Sequence, residues 1–201
     1  MSKTIHNQFV DIAGDLSPRL QTAMRGAGPV RLKRRNDTPL PEVLCRAIAG
    51  QQLSVKASQT IWGRVLERAQ GKNLPDFVSS IKPEVLRECG LSAAKAKAMK
   101  AIVAAETVGL LDIARLSELD HTARSQSLTA IWGVGQWTAD MIGISYFGDQ
   151  DVWPDSDITA AKTLQQLTSR RRKTINTAAR FAPHRSYLAV YMWTIADAAP
   201  T

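Results

Sequence analysis

The chain has 201 residues and a mass of 22.0 kDa, enough for one domain or two interleaved lobes whose core needs neither metal nor disulfide. Hydrophobic residues at 44% and charged residues at 22% exclude a wholly disordered chain, a coiled coil and a collagen-like chain, and no apolar run approaches the roughly 18 residues of a membrane span. With 26 Lys+Arg against 18 Asp+Glu the net charge is +8 and the pI about 9.8, a balance that favours a polyanionic partner, nucleic acid above all.

The opening residues, MSKTIHNQFVDIAGDL, contain no apolar h-region, so no signal peptide is expected. An N-terminal helix leads into residues 26–41, GAGPVRLKRRNDTPLP, where Gly, Pro and a basic run predict an irregular connection. Beyond Pro41 the spacing is helical: Val43, Leu44, Ala47 and Ile48 share a face, and so do Ile61, Val65 and Leu66. Cys45 and Cys89 lie far apart without a CxxC or a nearby His. That excludes a zinc site or a four-cysteine iron–sulfur cluster and predicts two reduced core thiols, as in an intracellular protein.

Residues 92–108 predict a helix capped by Ser92, with Ala94, Ala98, Ala101, Ile102, Ala105 and Val108 on one face. Lys95, Lys97 and Lys100 then point elsewhere, toward solvent or phosphate. Further helices are predicted over about 122–131, 136–147, 157–168, 173–180 and 184–197. No run of alternating β-branched residues suggests a strand, so the class is all-α, with about eight to ten helices. His6, His121 and His184 lack metal-ligand spacing and receive no role.

The most informative segment is Leu128 to Ala139, LTAIWGVGQWTA. One helix ends, a short turn follows, and another begins. Gly133 and Gly135 leave backbone N–H groups uncovered, and Val134 between them anchors the turn in the core. Such donors suit a DNA phosphate, which positions a duplex without reading its sequence. A tight helix–helix connection is the competing reading.

This segment resembles the helix–hairpin–helix of the DNA glycosylase superfamily. Trp153-Pro154-Asp155-Ser156-Asp157-Ile158 resembles that family's Gly/Pro-rich loop and catalytic aspartate, and Ile48 to Ser54, IAGQQLS, resembles its Gly-Gln loop. The nearest branch is DNA-3-methyladenine glycosylase II, in a compact form without the N-terminal β-rich domain of larger members. The likeness runs from about residue 40 to residue 196.

The resemblance implies a role for each matching residue. Asp157, twenty residues after Trp137, is the catalytic carboxylate. It stabilises positive charge on the sugar and orients or deprotonates water. It also opens a predicted helix with apolar face Ile158, Ala161, Leu164 and Leu167, where it serves equally as N-cap. Asp155, inside the loop, is its competitor. Trp137 stands where strand-cutting members carry a lysine nucleophile, so no Schiff base forms and the product is an abasic site. Trp137 and Trp193 are base-pocket residues whose indole faces attract a cationic alkylated purine. Met141 joins them where some members have tyrosine.

Gln52 or Leu53 is the side chain that fills the space a flipped base vacates. Gly133, Val134, Gly135 and Lys95 complete the DNA contacts, and Arg170 to Lys173 are phosphate candidates or a solvated run. A monovalent cation held by the main-chain carbonyls of Trp132 and Val134 is a further implication, with no side-chain metal ligand. The expected fold is two helical lobes with a cleft between them, residues 40–145 against residues 1–39 plus 146–201. The expected activity is monofunctional hydrolysis of the N-glycosidic bond of 3-methyladenine and 7-methylguanine in duplex DNA, by a monomer that needs no membrane. A glycosylase for deaminated or oxidised purines, and a non-catalytic DNA-binding module, are the alternatives.

Overall fold

The computed structural model describes residues 1–198, and among them it is helical without a strand. The chain divides into two compact units, Met1–Arg34 with Gly143–Thr201, and Arg35–Ile142. The first break falls in the basic connection and the second at the end of the helix after the hairpin, against expected breaks after residues 39 and 145.

In the discontinuous unit, α1 (Lys3–Leu16) and α2 (Pro18–Ala27) are separated by Ser17 alone. The Ser17 N–H closes α1 on the Ala13 carbonyl, and its hydroxyl accepts from the Arg19 N–H to open α2, with Pro18 in the first turn. Proline fits there because its missing N–H would have no helical partner. After the crossing to the other unit and back come a π-helical turn (Gly143–Phe147), then α11 (Ile158–Leu167), α12 (Thr174–Ala178), a 3-10 turn (Ala179–Phe181) and α13 (Arg185–Ala198). Phe9, Leu20, Met24, Phe181, Tyr191 and Met192 form its core.

The continuous unit runs α3 (Leu40–Gly50), α4 (Val55–Ala69), α5 (Leu74–Ser80), α6 (Pro83–Glu88), α7 (Ala93–Thr107), α8 (Ile113–Glu118), α9 (His121–Thr129) and α10 (Gln136–Ile142). Thirteen α-helices among the described residues exceed the eight to ten expected. The additions are short. Three of them, α5, α6 and α8, begin at Asn73 with Pro75, at Lys82 with Pro83, and at Asp112, and have too few turns to show a period.

Helix α7 lies against α3, α5 and α6, so its buried face is wider than a single stripe. Ala96, Met99 and Val103 are buried along with Ala98, Ile102 and Ala105. Ala94 is exposed instead, and so is Val108 at 71%. On α11, Ile158 is likewise outside the core, at 79% exposure, while Leu164 is buried. Both cysteines are free and buried, and burial pushes the Cys45 thiol up to about 12. No helix among the described residues is long and apolar enough to cross a membrane.

Candidate active site

Asp157 stands at the N-terminus of α11 and accepts the Ala160 N–H on Oδ1 at 2.8 Å. It is therefore the N-cap, as its place before a helical run requires. The same oxygen accepts the indole N–H of Trp193, on α13, at 3.0 Å. Residues 36 apart in sequence are brought together because α11 and α13 pack along each other. Trp193 is half-buried, with its polar edge turned to the carboxylate. The sequence offers it as a stacking face; the structure adds a hydrogen bond that fixes the carboxylate.

Asp155 is committed elsewhere. Its Oδ1 accepts the Trp153 indole N–H at 3.0 Å and a short hydrogen bond from the Thr174 hydroxyl. The loop is thereby tied to the start of α12. It is tied again to the start of α13: the Arg185 guanidinium forks onto Asp151 at 2.7 and 3.0 Å. The buried Ser186 hydroxyl donates to the Asp149 carbonyl and accepts from the Val152 N–H. Burial pushes the Asp151 carboxyl up, but the Arg185 hydrogen bonds and charge outweigh it and hold it below its ordinary value. Asp151, Arg185 and Ser186 brace the loop that carries Asp157. A bare DxW…RS spacing gives no signal for this.

The hairpin lies in the other unit. Val134 is buried, and its N–H closes the turn on the Ile131 carbonyl at 3.0 Å. Gly133 has φ +87, and a Cβ there would meet the Ala98 Cβ of α7 at 2.4 Å. Both the backbone and the close approach demand glycine. The next helix carries Trp137 and Met141 one turn apart, both half-buried. The hairpin is stitched from below by residues without an expected role. Gln136 Nε2 donates to Ser125 Oγ at 2.9 Å and to the buried Asp140 at 2.7 Å, and His121 pairs with Asp140 at 3.0 Å.

The Gly-Gln loop follows α3. Gln52 adopts φ 56, and Gln52 and Leu53 both face outward, Leu53 at 40% exposure. Gln51 beneath them donates to the Thr138 hydroxyl at 3.3 Å. Lys95 does not present its ammonium as a phosphate contact. Its Nζ donates to the carbonyls of Ala49 and Gln51, at 3.0 and 2.7 Å, and burial lowers its pKa. It satisfies carbonyls at the end of α3 that the helix leaves without partners. Lys100 likewise holds the carbonyls of Ser79 and Ile81. Lys97 lies over the Trp132 ring, 4.3 Å from its centroid. By contrast, Arg170, Arg171, Arg172 and Lys173 are exposed and take part in no ion pair among the described residues.

No protein-family model matches the chain. It is 29% identical over 160 residues to a DNA-3-methyladenine glycosylase of Schizosaccharomyces pombe, covering 76% of this chain and 70% of that one. It is 32% identical over 189 residues to a probable bifunctional transcriptional activator and DNA repair enzyme, AlkA, of Mycobacterium tuberculosis. That match spans 88% of this chain and only 37% of the longer relative. Among solved structures, the DNA-3-methyladenine glycosidase of Bacillus halodurans superposes with a TM-score of 0.80 at 28% identity, over 96% of this chain and 89% of that one. The S. pombe 3-methyladenine DNA glycosylase Mag1, in complex with abasic DNA, superposes with a TM-score of 0.77 at 26% identity, over 92% and 95%. With its hairpin and its capped loop aspartate, the chain is similar in sequence and in fold to DNA glycosylases that carry 3-methyladenine in their names.

Proposed function

We propose that the protein is a monofunctional DNA glycosylase that removes alkylated purines, chiefly 3-methyladenine and 7-methylguanine, from duplex DNA and leaves an abasic site. The observation that carries this reading is Asp157 at the head of α11 with the Trp193 indole donating to its Oδ1. A carboxylate fixed by two donors is pre-oriented, so little reorganisation is needed as charge develops. As the bond from the sugar to the base nitrogen breaks, its electron pair leaves with the base and C1′ becomes electron-poor. Asp157 stabilises that positive charge and orients the water that adds to C1′, whose proton passes to the carboxylate or to solvent.

An N3- or N7-alkylated purine already carries positive charge and departs neutral, so no strong general acid is required. An indole face such as the one Trp193 carries beside Asp157 attracts such a ring by about 0.5–2 kcal/mol and an undamaged purine by less. Trp137 in place of a lysine leaves no amine to form a Schiff base, which supports hydrolysis without strand cutting.

The Gly133 and Gly135 N–H groups and the buried anchor Val134 suit a phosphate of the DNA backbone. Gln52 or Leu53 enters the stack where the base is flipped out, a step that costs a few kcal/mol. The carbonyls of Trp132 and Val134 accept no main-chain hydrogen bond among the described residues, which fits the monovalent cation the family implies. Such an ion would add positive charge beside the phosphate.

The test is base release from duplex DNA treated with a methylating agent, with the freed bases identified by chromatography. Release of 3-methyladenine and 7-methylguanine without strand scission is the expected result. Release only from deaminated or oxidised DNA would move the substrate class, and tight binding without any release would make the protein a binding module.

A further inference from the structure

The five tryptophans differ in exposure. Trp62 and Trp153 are buried, Trp137 and Trp193 are half-buried, and Trp132 is 46% exposed. Trp132 is the residue before Gly133, at the tip of the hairpin turn, where its neighbours Ile131 and Val134 supply the core anchors. A smaller polar residue would serve the turn without leaving an indole in water. Something other than folding is the better account of it.

What lies beside it narrows the choice. The exposed ammonium of Lys97 sits 4.3 Å from the ring centroid. It forms no ion pair among the described residues. Lys97 directly precedes Ala98, the residue packed against Gly133. Indole, cation and glycine turn thus share one surface on one unit. The indole face holds a flexible side chain in place before any ligand arrives, which reduces the rotamer entropy lost on binding. An apolar ring adjoining a fixed cation matches the alternation of sugar and phosphate along a nucleic-acid strand.

We propose that Trp132 and Lys97 form a second DNA-backbone contact flanking the hairpin, with Lys97 on a phosphate and Trp132 covering the neighbouring deoxyribose. This rests on the DNA reading above and extends it to two residues beyond the glycine turn. The contact reads no base, so it acts on damaged and undamaged duplex alike.

The full chain tests it in two measurements on an undamaged duplex. Binding is followed by anisotropy of a labelled duplex across a salt series, and tryptophan accessibility by acrylamide quenching of the free and DNA-bound protein. Trp132→Phe identifies the most quenchable component. In the wild type that component is expected to lose more than about half of its quenching when DNA binds. Lys97→Gln is expected to lower the slope of log affinity against log salt by about 0.9, one phosphate's worth. The wild-type advantage therefore falls about threefold between 50 and 200 mM salt. Lys97→Arg restores the slope. Equal quenching of Trp132 in free and DNA-bound protein, or an unchanged slope in Lys97→Gln, overturns the proposal alone. Absence of any duplex binding by the wild type overturns the DNA reading and the proposal with it.

Discussion

The lysines of α7 and the basic turn at residues 170–173 are alike in sequence and unlike in structure. Lys95 and Lys100 donate to main-chain carbonyls, and Lys97 is held over an indole. Arg170, Arg171, Arg172 and Lys173 are exposed and in no ion pair among the described residues. A basic run shows how much charge a chain carries; only the partners show whether that charge serves the fold or is left for a ligand. In the hairpin unit Lys95 and Lys100 of α7 work as fasteners. Lys95 holds the Gly-Gln loop, and its neighbour Ala98 meets the hairpin glycine, so one helix sets both elements.

That contrast breaks most severely at the α7–hairpin contact. Gly133→Ala adds a Cβ 2.4 Å from Ala98 at a φ of +87, and is expected to destabilise the protein by about 3 kcal/mol, read as a lower urea midpoint. Lys95→Met removes the donor shared by two carbonyls and is expected to cost about 2 kcal/mol. It should also weaken base flipping, followed by 2-aminopurine fluorescence beside a lesion, whereas Lys95→Arg recovers part of both. If Lys95→Met kept full stability, the fastener role would be wrong.

The 170–172 turn should respond in the opposite way. Replacing Arg170, Arg171 and Arg172 by Gln is expected to change stability by less than about 0.5 kcal/mol, yet to lower the salt slope of DNA binding by about 2. A matched triple change at the exposed Lys3, Arg19 and Arg25 should lower it by less than 1. Equal effects of the two triples would reduce the turn to general charge.

The smallest effect concerns the brace of the aspartate loop. Asp151 is held below its ordinary 3.8, so the folded state binds this proton less readily than the unfolded chain does. Its stabilisation is complete above 3.8 and is lost as pH falls through the lower folded value. Both partners are about one-third exposed, so less than about 1 kcal/mol is at stake. Thermal melts of wild type and Asp151→Asn should differ at neutral pH and converge in acid.

Much of this was legible in the sequence. The all-α class, the irregular stretch at 26–41 and the GVG turn follow from residue spacing and from glycines and prolines, which act locally. The place of Asp157 as an N-cap is equally local. What was not legible depends on partners distant in sequence. His121 and Asp140 are 19 residues apart, and Trp193 and Asp157 are 36 apart. The carbonyls that hold Lys95 belong to residues of any type, so no side chain announces them. The width of the buried face of α7 depends on how many helices pack on it, which a single stripe cannot report.

Asp157 carries the proposed chemistry, and single-turnover release of 3-methyladenine from methylated duplex tests that role most directly, with wild type beside Asp157→Asn and Trp193→Phe. Asp157→Asn keeps the size of the cap and removes the charge. It is predicted to slow release by at least about a hundredfold, the scale of one electrostatic contact to a transition state, while duplex binding persists. Trp193→Phe, which loses the donor and keeps a ring, is predicted to fall between the two. Release by Asp157→Asn at the wild-type rate would contradict the assignment and place the chemistry elsewhere in the protein.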